Sequence, residues 1–213
     1  MEWLLLDGIP PGDVRALIAS SRRRTFARGE VVFHRGDPAD ALHLVVKGRF
    51  EARVTTARGE EVALGVRGPG DAFGELAPLT GEERSATVAA LEPGETLCVR
   101  WGELRRLAAQ RPALGEVLVR LLAQQVRRLS ELLVEAYTVD ADARTARRLL
   151  ELVREYGDVV PLTQEQLAGL AGTSRATVNR VLRQLERAGV LSLSRGRTAV
   201  VDREALARAA GRR

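Results

Sequence analysis

One change of pattern, near residue 110, constrains the fold of this chain more than any other feature. Between Phe26 and about Arg100, short β-branched or alternating runs recur at 31–33, 42–46, 50–54, 62–64, 86–89 and 96–99. Turn signals separate them: Arg35-Gly36-Asp37-Pro38, Lys47-Gly48, Ala57-Arg58-Gly59, Gly68-Pro69-Gly70-Asp71 and Pro93-Gly94. Short strands at such spacing predict a sandwich or jelly roll. A short helix over 10–21 precedes them, opened by Pro10 and Pro11, with Val14, Leu17 and Ile18 at helical spacing. From Pro112 to about Tyr137 the period becomes helical, with no Gly or Pro after Gly115. Val119, Leu122, Val126, Leu129, Leu133 and Ala136 form a heptad seam, and Leu118, Leu121, Leu132 and Tyr137 form a second stripe. Two stripes fit a helix that packs on its own β-domain and on a partner helix.

Within the β-rich part, residues 73–88 put a carboxylate, Glu75, and a guanidinium, Arg84, on one short loop with small residues beside each. A carboxylate accepts from a sugar hydroxyl, and arginine pairs with phosphate through a rigid fork of donors. Backbone amides and Ser85 can complete a phosphate cradle. The competing reading is a surface hairpin whose Glu and Arg pair across a turn.

Charge divides the chain further. Residues 1–110 carry 15 basic and 16 acidic side chains, whereas residues 140–213 carry 14 and 9, which holds the excess of the +5 total. That asymmetry points to a nucleic-acid-binding end. Asp140-Ala-Asp-Ala is a polar joint ahead of a helix with Ala146, Leu149, Leu150, Leu152 and Val153 as its apolar positions, ended by Gly157-Asp158. Thr163 and Gln166 form a capping box, Ala171-Gly172-Thr173 is a break, and Ser174 caps a second helix closed by Gly189. The spacing of Leu167 and Ala168 against Val178, Val181 and Leu182 predicts two crossing helices, a helix-turn-helix. The second helix exposes Arg175, Ala176, Asn179, Arg180 and Arg183, of which Arg suits guanine and Asn adenine. A hairpin with a basic tip, Arg195-Gly196-Arg197, makes this a winged helix suited to phosphate contact.

Both segments resemble the cyclic-AMP receptor protein (CRP/FNR) family, in that family's order. Gly74-Glu75-Leu76 and Arg84-Ser85-Ala86-Thr87 match its phosphate-binding cassette, and residues 162–182 match its helix-turn-helix. The resemblance implies an α+β chain: a jelly-roll effector domain over 1–111, a dimerisation helix over 112–139 and a winged helix-turn-helix over 140–213. It implies that Gly74, Glu75, Leu76, Arg84, Ser85 and Ser130 bind an effector, cyclic AMP or another cyclic nucleotide. Glu75 would take the ribose hydroxyl, and Arg84 with Ser85 the cyclic phosphate. Thr163, Ser174, Arg175, Ala176, Asn179, Arg180, Arg183, Arg195 and Arg197 would meet double-stranded DNA at a near-palindromic operator. A homodimer and contact with RNA polymerase follow from the same likeness. Two positions depart from the family pattern: Ser130 stands where cyclic-AMP-responsive members carry a Thr-Ser pair, and Ala176 replaces a base-reading Glu.

Other classes lack their residues. One cysteine, Cys98, cannot hold an iron–sulfur cluster or close an intrachain disulfide, and is expected to be a small buried apolar residue. His34 and His43 leave a haem reading open, against the commoner solvated or core histidine. There is no catalytic triad, P-loop or metalloprotease motif, so no enzyme is expected. Without a membrane-length apolar run or a basic N-terminal region, a cytoplasmic location is expected. Two alternatives stand beside the effector-switched regulator: an effector-independent regulator of the same fold, and a nucleotide-binding regulatory subunit of an enzyme, against which the winged helix argues.

Overall fold

The computed structural model of the protein describes residues 6–57, 59 and 61–211. The start of the N-terminal stretch expected to lack a signal, positions 1–5, lies outside these residues, as does Arg58 of the 57–59 turn. The chain divides into two compact units, Met1–Val54 with Leu64–Leu129, and Thr55–Ala63 with Ser130–Arg213.

Alternation of apolar and polar positions builds two four-stranded sheets. After α1 (Pro11–Ser20) come β1 (Arg22–Phe26), β2 (Val31–Phe33), β3 (Ala41–Lys47), β4 (Phe50–Thr55), β5 (Glu61–Arg67) and β6 (Ala72–Phe73). Then follow α2 (Leu76–Thr80), β7 (Thr87–Ala90), β8 (Gly94–Arg100), α3 (Trp101–Gln110) and α4 (Pro112–Thr138). One sheet runs β1-β8-β3-β6 and the other β2-β7-β4-β5. Register sorts the first sheet into two faces. Leu42, Leu44, Leu97 and Val99 point outward into a core with Leu17 of α1, Leu104 and Leu107 of α3, and Leu114, Val117 and Leu121 of α4. Phe26 and Val45 point the other way, into the core between the sheets with Phe50, Phe73 and Val88.

Three elements depart from expectation. β1, Arg-Arg-Arg-Thr-Phe, has no apolar alternation, yet it pairs with β8 along its length, from Arg22↔Cys98 to Phe26↔Gly94. The residues between Glu75 and Arg84 are not all loop, because α2 occupies five of them and ends at Gly81, whose φ of 76° suits a residue without Cβ. α3 covers a stretch in which no helix was expected, burying Leu104 and Leu107.

In the other unit, α5 (Ala141–Tyr156) starts at Asp140, whose side chain accepts from Ala143 N at 2.8 Å. It buries Ala146, Leu149, Leu150, Leu152 and Val153, the expected apolar positions. β9 (Val159–Val160), α6 (Gln164–Ala171), α7 (Arg175–Arg187), β10 (Leu191–Ser194), β11 (Arg197–Val200) and α8 (Arg203–Ala209) complete it. The sheet β10-β11-β9 forms the wing.

Candidate functional site

Gly74 has φ 83°, and a Cβ there would lie 2.8 Å from Arg84 Nη1, so only glycine leaves room for the guanidinium. Glu75 follows at the N-cap of α2 but makes no cap hydrogen bond. Its carboxylate is 2% exposed and accepts from the Gln125 side-chain amide on α4. Arg84 is 5% exposed. It donates from Nη1 to Gly74 O at 2.6 Å and from Nη2 to Ala41 O at 2.7 Å, and lies 4.1 Å from the Phe33 ring centroid. Its Nε is buried without a hydrogen-bond partner among the described residues. Glu75 and Arg84 therefore do not pair across a turn, and both are held desolvated by neutral groups. Burial lowers the Arg84 pKa, and Asp40, Cys98, Asp37 and Glu75 oppose that shift. Ser85 and Leu76 are exposed, Leu76 at 42%.

Gln125, Phe33 and Ala41 were not anticipated. Gln125 carried a signal: it lies four residues past Leu121, continuing the buried line of Leu114, Val117 and Leu121 with a polar side chain. Its amide oxygen also accepts from Arg67 Nη2 at 3.3 Å. The inward stripe differs from expectation at its far end, where Tyr137 is 83% exposed. The heptad seam stands in solvent, with Val119, Val126, Leu129 and Leu133 each 58–67% exposed. Ser130 is exposed on the same helix.

His43 is a core residue. Its ring stacks on Phe73 at 5.0 Å and its Nδ1 lies 3.0 Å from Thr96 Oγ1. Burial, helped by Arg84 and Arg24, pushes its pKa down to about 3, so the imidazole is neutral at pH 7. His34 is exposed. Cys98, expected to be buried, is only half-buried beside His43 on the next strand. Burial raises its pKa, so the thiol form prevails.

In the second unit the capping box is complete: Thr163 Oγ1 accepts from Gln166 N, and Gln166 Oε1 accepts from Thr163 N at 2.9 Å. Gly172 takes φ 59° at the turn, and Ser174 Oγ accepts from Thr177 N at 3.1 Å to start α7. Val178, Val181 and Leu182 are buried, which turns Arg175, Ala176, Asn179, Arg180 and Arg183 to solvent together. These arginines have protein partners. Arg180 donates to both carboxylate oxygens of Asp142, with Nη1 2.8 Å from Oδ2. Arg183 meets Glu186 at 2.8 Å, and Arg175 lies 3.9 Å from Glu165. Arg180 holds the Asp142 carboxyl below its usual range. Arg195 and Arg197 are exposed around Gly196 and enter no ion pair among the described residues.

A β-sandwich carrying a desolvated Glu and Arg on one cassette, and a winged helix with a basic exposed helix face, define a DNA-binding transcription regulator gated by a small effector. Residues 23–111 match the cyclic nucleotide-binding domain family, and residues 143–209 match the Crp-like helix-turn-helix domain family. The cyclic AMP receptor protein of Thermus thermophilus is 35% identical over 193 residues, covering 90% of this chain and 89% of that protein. A CRP-like cAMP-activated global transcriptional regulator of Mycobacterium tuberculosis is 31% identical over 214 residues, covering 97% and 96%. The crystal structure of the Thermus thermophilus catabolite activator protein is 34% identical with a TM-score of 0.57, covering 97% of this chain and 98% of that one. The chain belongs to the CRP family of transcription regulators, and is a regulator rather than an enzyme. Among the described residues, no helix is long and apolar enough to cross a membrane.

Proposed function

We propose that cyclic AMP, or a cyclic nucleotide close to it, switches this regulator through the cassette of residues 74–85. The observation that carries the reading is the pair of desolvated opposite charges, Glu75 and Arg84, whose hydrogen-bond partners among the described residues are neutral groups. Exchanging the Arg84 bonds to two neutral carbonyls for a fork onto a phosphate adds the attraction of opposite charges, and a hydroxyl can replace the Gln125 amide on Glu75, so the bound state is favoured. Glu75 takes the ribose hydroxyl, Arg84 and Ser85 take the cyclic phosphate, and Gly74 and Leu76 shape the cradle. Ser130 on α4 is assigned to the base of the nucleotide. The relatives named for cyclic AMP support this choice of nucleotide.

The active species is a homodimer paired along the α4 seam, with residues 1–111, 112–139 and 140–213 as its effector, dimer and DNA-binding segments. The seam's solvent-exposed Val119, Val126, Leu129 and Leu133 support it, because apolar heptad positions gain by burial against a second helix. Arg175, Ala176, Asn179, Arg180 and Arg183 face the major groove, and Thr163, Ser174, Arg195 and Arg197 contact phosphates. The bound dimer then meets RNA polymerase from a near-palindromic operator.

Calorimetry with a panel of cyclic nucleotides tests the effector, read beside operator affinity with and without each ligand. Binding of cyclic AMP with tighter DNA binding is expected; no binding by any cyclic nucleotide would reject the effector reading. Leu129→Glu or Leu133→Glu is expected to yield monomers in sedimentation and to collapse operator affinity, because half-sites about 34 Å apart need two linked readers.

A further inference from the structure

The sandwich has an open end that the cassette reading does not use. On β1, Arg22 and Arg24 share parity with Phe26, which lies in the core between the sheets. Arg22 pairs in register with Cys98, and Cys98 with His43; Arg100 pairs with Ala41. Arg22, Arg24 and Arg100 therefore stand on the inner face of their sheet, where a sandwich ordinarily places apolar side chains. Arg23, on the opposite face, is paired with Glu95.

A cleft of about 820 Å³ opens at this end. Arg22, Arg24, Arg84 and Arg100 line it, against two carboxylates, Asp37 and Asp40. Arg22, Arg24 and Arg100 enter no ion pair among the described residues. Arg84 adds a guanidinium 5% exposed whose Nε has no hydrogen-bond partner among the described residues. Arg24 lies 4.9 Å from the Phe26 ring centroid. Val32 and Phe33 supply an apolar wall. Four guanidiniums against two carboxylates leave an excess of positive charge, and an anion between the arginines relieves their mutual repulsion. The volume suits a small organic ligand.

We propose that this open end binds a small phosphorylated anion, with the diphosphate held by Arg22, Arg24 and Arg100. The site goes beyond the cyclic-nucleotide reading and shares with it Arg84 and the groups that hold Arg84, Phe33 and Ala41. A pyrophosphate group matches three guanidinium forks, and any organic part lies on Val32 and Phe33.

Calorimetry at fixed ionic strength, with inorganic pyrophosphate and with ADP as separate probes, tests the site. Wild type is expected to bind both, and the double variant Arg22→Gln/Arg100→Gln to bind each at least tenfold more weakly. Cyclic AMP affinity, measured on the same samples, is expected to change less than twofold in that variant. Tighter binding of ADP than pyrophosphate supports the site with the apolar wall in use; equal affinities support it with the diphosphate alone as ligand. Absence of binding by either probe, or equal binding to wild type and variant, overturns the proposal. Since these substitutions leave the Glu75–Gln125 contact intact, failure here and failure of the cyclic-nucleotide reading are separate results. Arg24→Gln, at a position already exposed, repeats the test should the double variant lose its circular dichroism signature.

Discussion

Arg84 and Arg180 are both arginines, held in opposite surroundings. Arg84 is buried, tied to two backbone carbonyls and to an aromatic face, with no carboxylate among the described residues hydrogen-bonded to it. Arg180 stands in solvent on α7 and holds Asp142 through two hydrogen bonds. In a desolvated site an ion pair to ligand is strong, because water does not compete and the neutral partners leave the charge unbalanced. On an exposed helix, water and salt screen each contact, and affinity must come from many contacts together. A small effector needs the first arrangement, since it offers few atoms. A DNA duplex tolerates the second, since it offers many phosphates and bases.

The contrast is sharpest at Arg84. Arg84→Ala is expected to weaken cyclic-nucleotide binding by about 2–4 kcal/mol, roughly 30- to 1000-fold, without unfolding the sandwich. Calorimetry with circular dichroism on the same samples checks it, and wild-type affinity in the variant would break the comparison on its buried side. Glu75→Ala is expected to act in the same direction, and a nucleotide lacking the 2′-hydroxyl to lose most of its dependence on Glu75.

A second test uses pH. His43 is neutral in the folded state down to about pH 3, while an unfolded histidine takes its proton near pH 6.5. Between those values the unfolded chain binds more protons, so stability falls as pH drops through the window. Denaturation at pH 4.5 and pH 7 is expected to show a loss of about 2–3 kcal/mol from this group. His43→Phe should flatten that slope. An unchanged slope in the variant would remove His43 as its source.

On the exposed side, Arg180→Ala is expected to weaken operator binding by about 5- to 100-fold and to relax preference at one base pair per half-site. Arg197→Ala should weaken all sequences alike and reduce the salt slope by about one. Selection from random DNA separates them, and the reverse pattern would move base reading from α7 to the wing. The smallest effect is expected at Asp142→Asn, which frees Arg180 from its carboxylate. Operator affinity should rise by less than about fivefold, measured by fluorescence anisotropy, because an exposed ion pair contributes little.

Legibility in the sequence followed the range of the interaction. Thr163 with Gln166, Ser174 with Thr177, and Asp140 with Ala143 each lie three residues apart, and their caps formed as the local pattern predicted. The same holds for the wing turn at Gly196 and the helical period of α4. β1 was hidden because an Arg-rich strand carries no alternation of its own and exists by pairing with β8. α2 was hidden because five residues carry too little period to separate helix from loop.

The sequence by itself determined the order of segments, the helix caps, the α7 face and the presence of a Glu–Arg cassette, because these depend on neighbours a few bonds away. Only the tertiary structure decided what each charged side chain touches. Arg84 meets Ala41 across 43 positions, Glu75 meets Gln125 across 50, and His43 meets Thr96 across 53. Such contacts arise when the sheets close and expel water, and that same burial sets the charge state of His43 and desolvates Glu75 and Arg84.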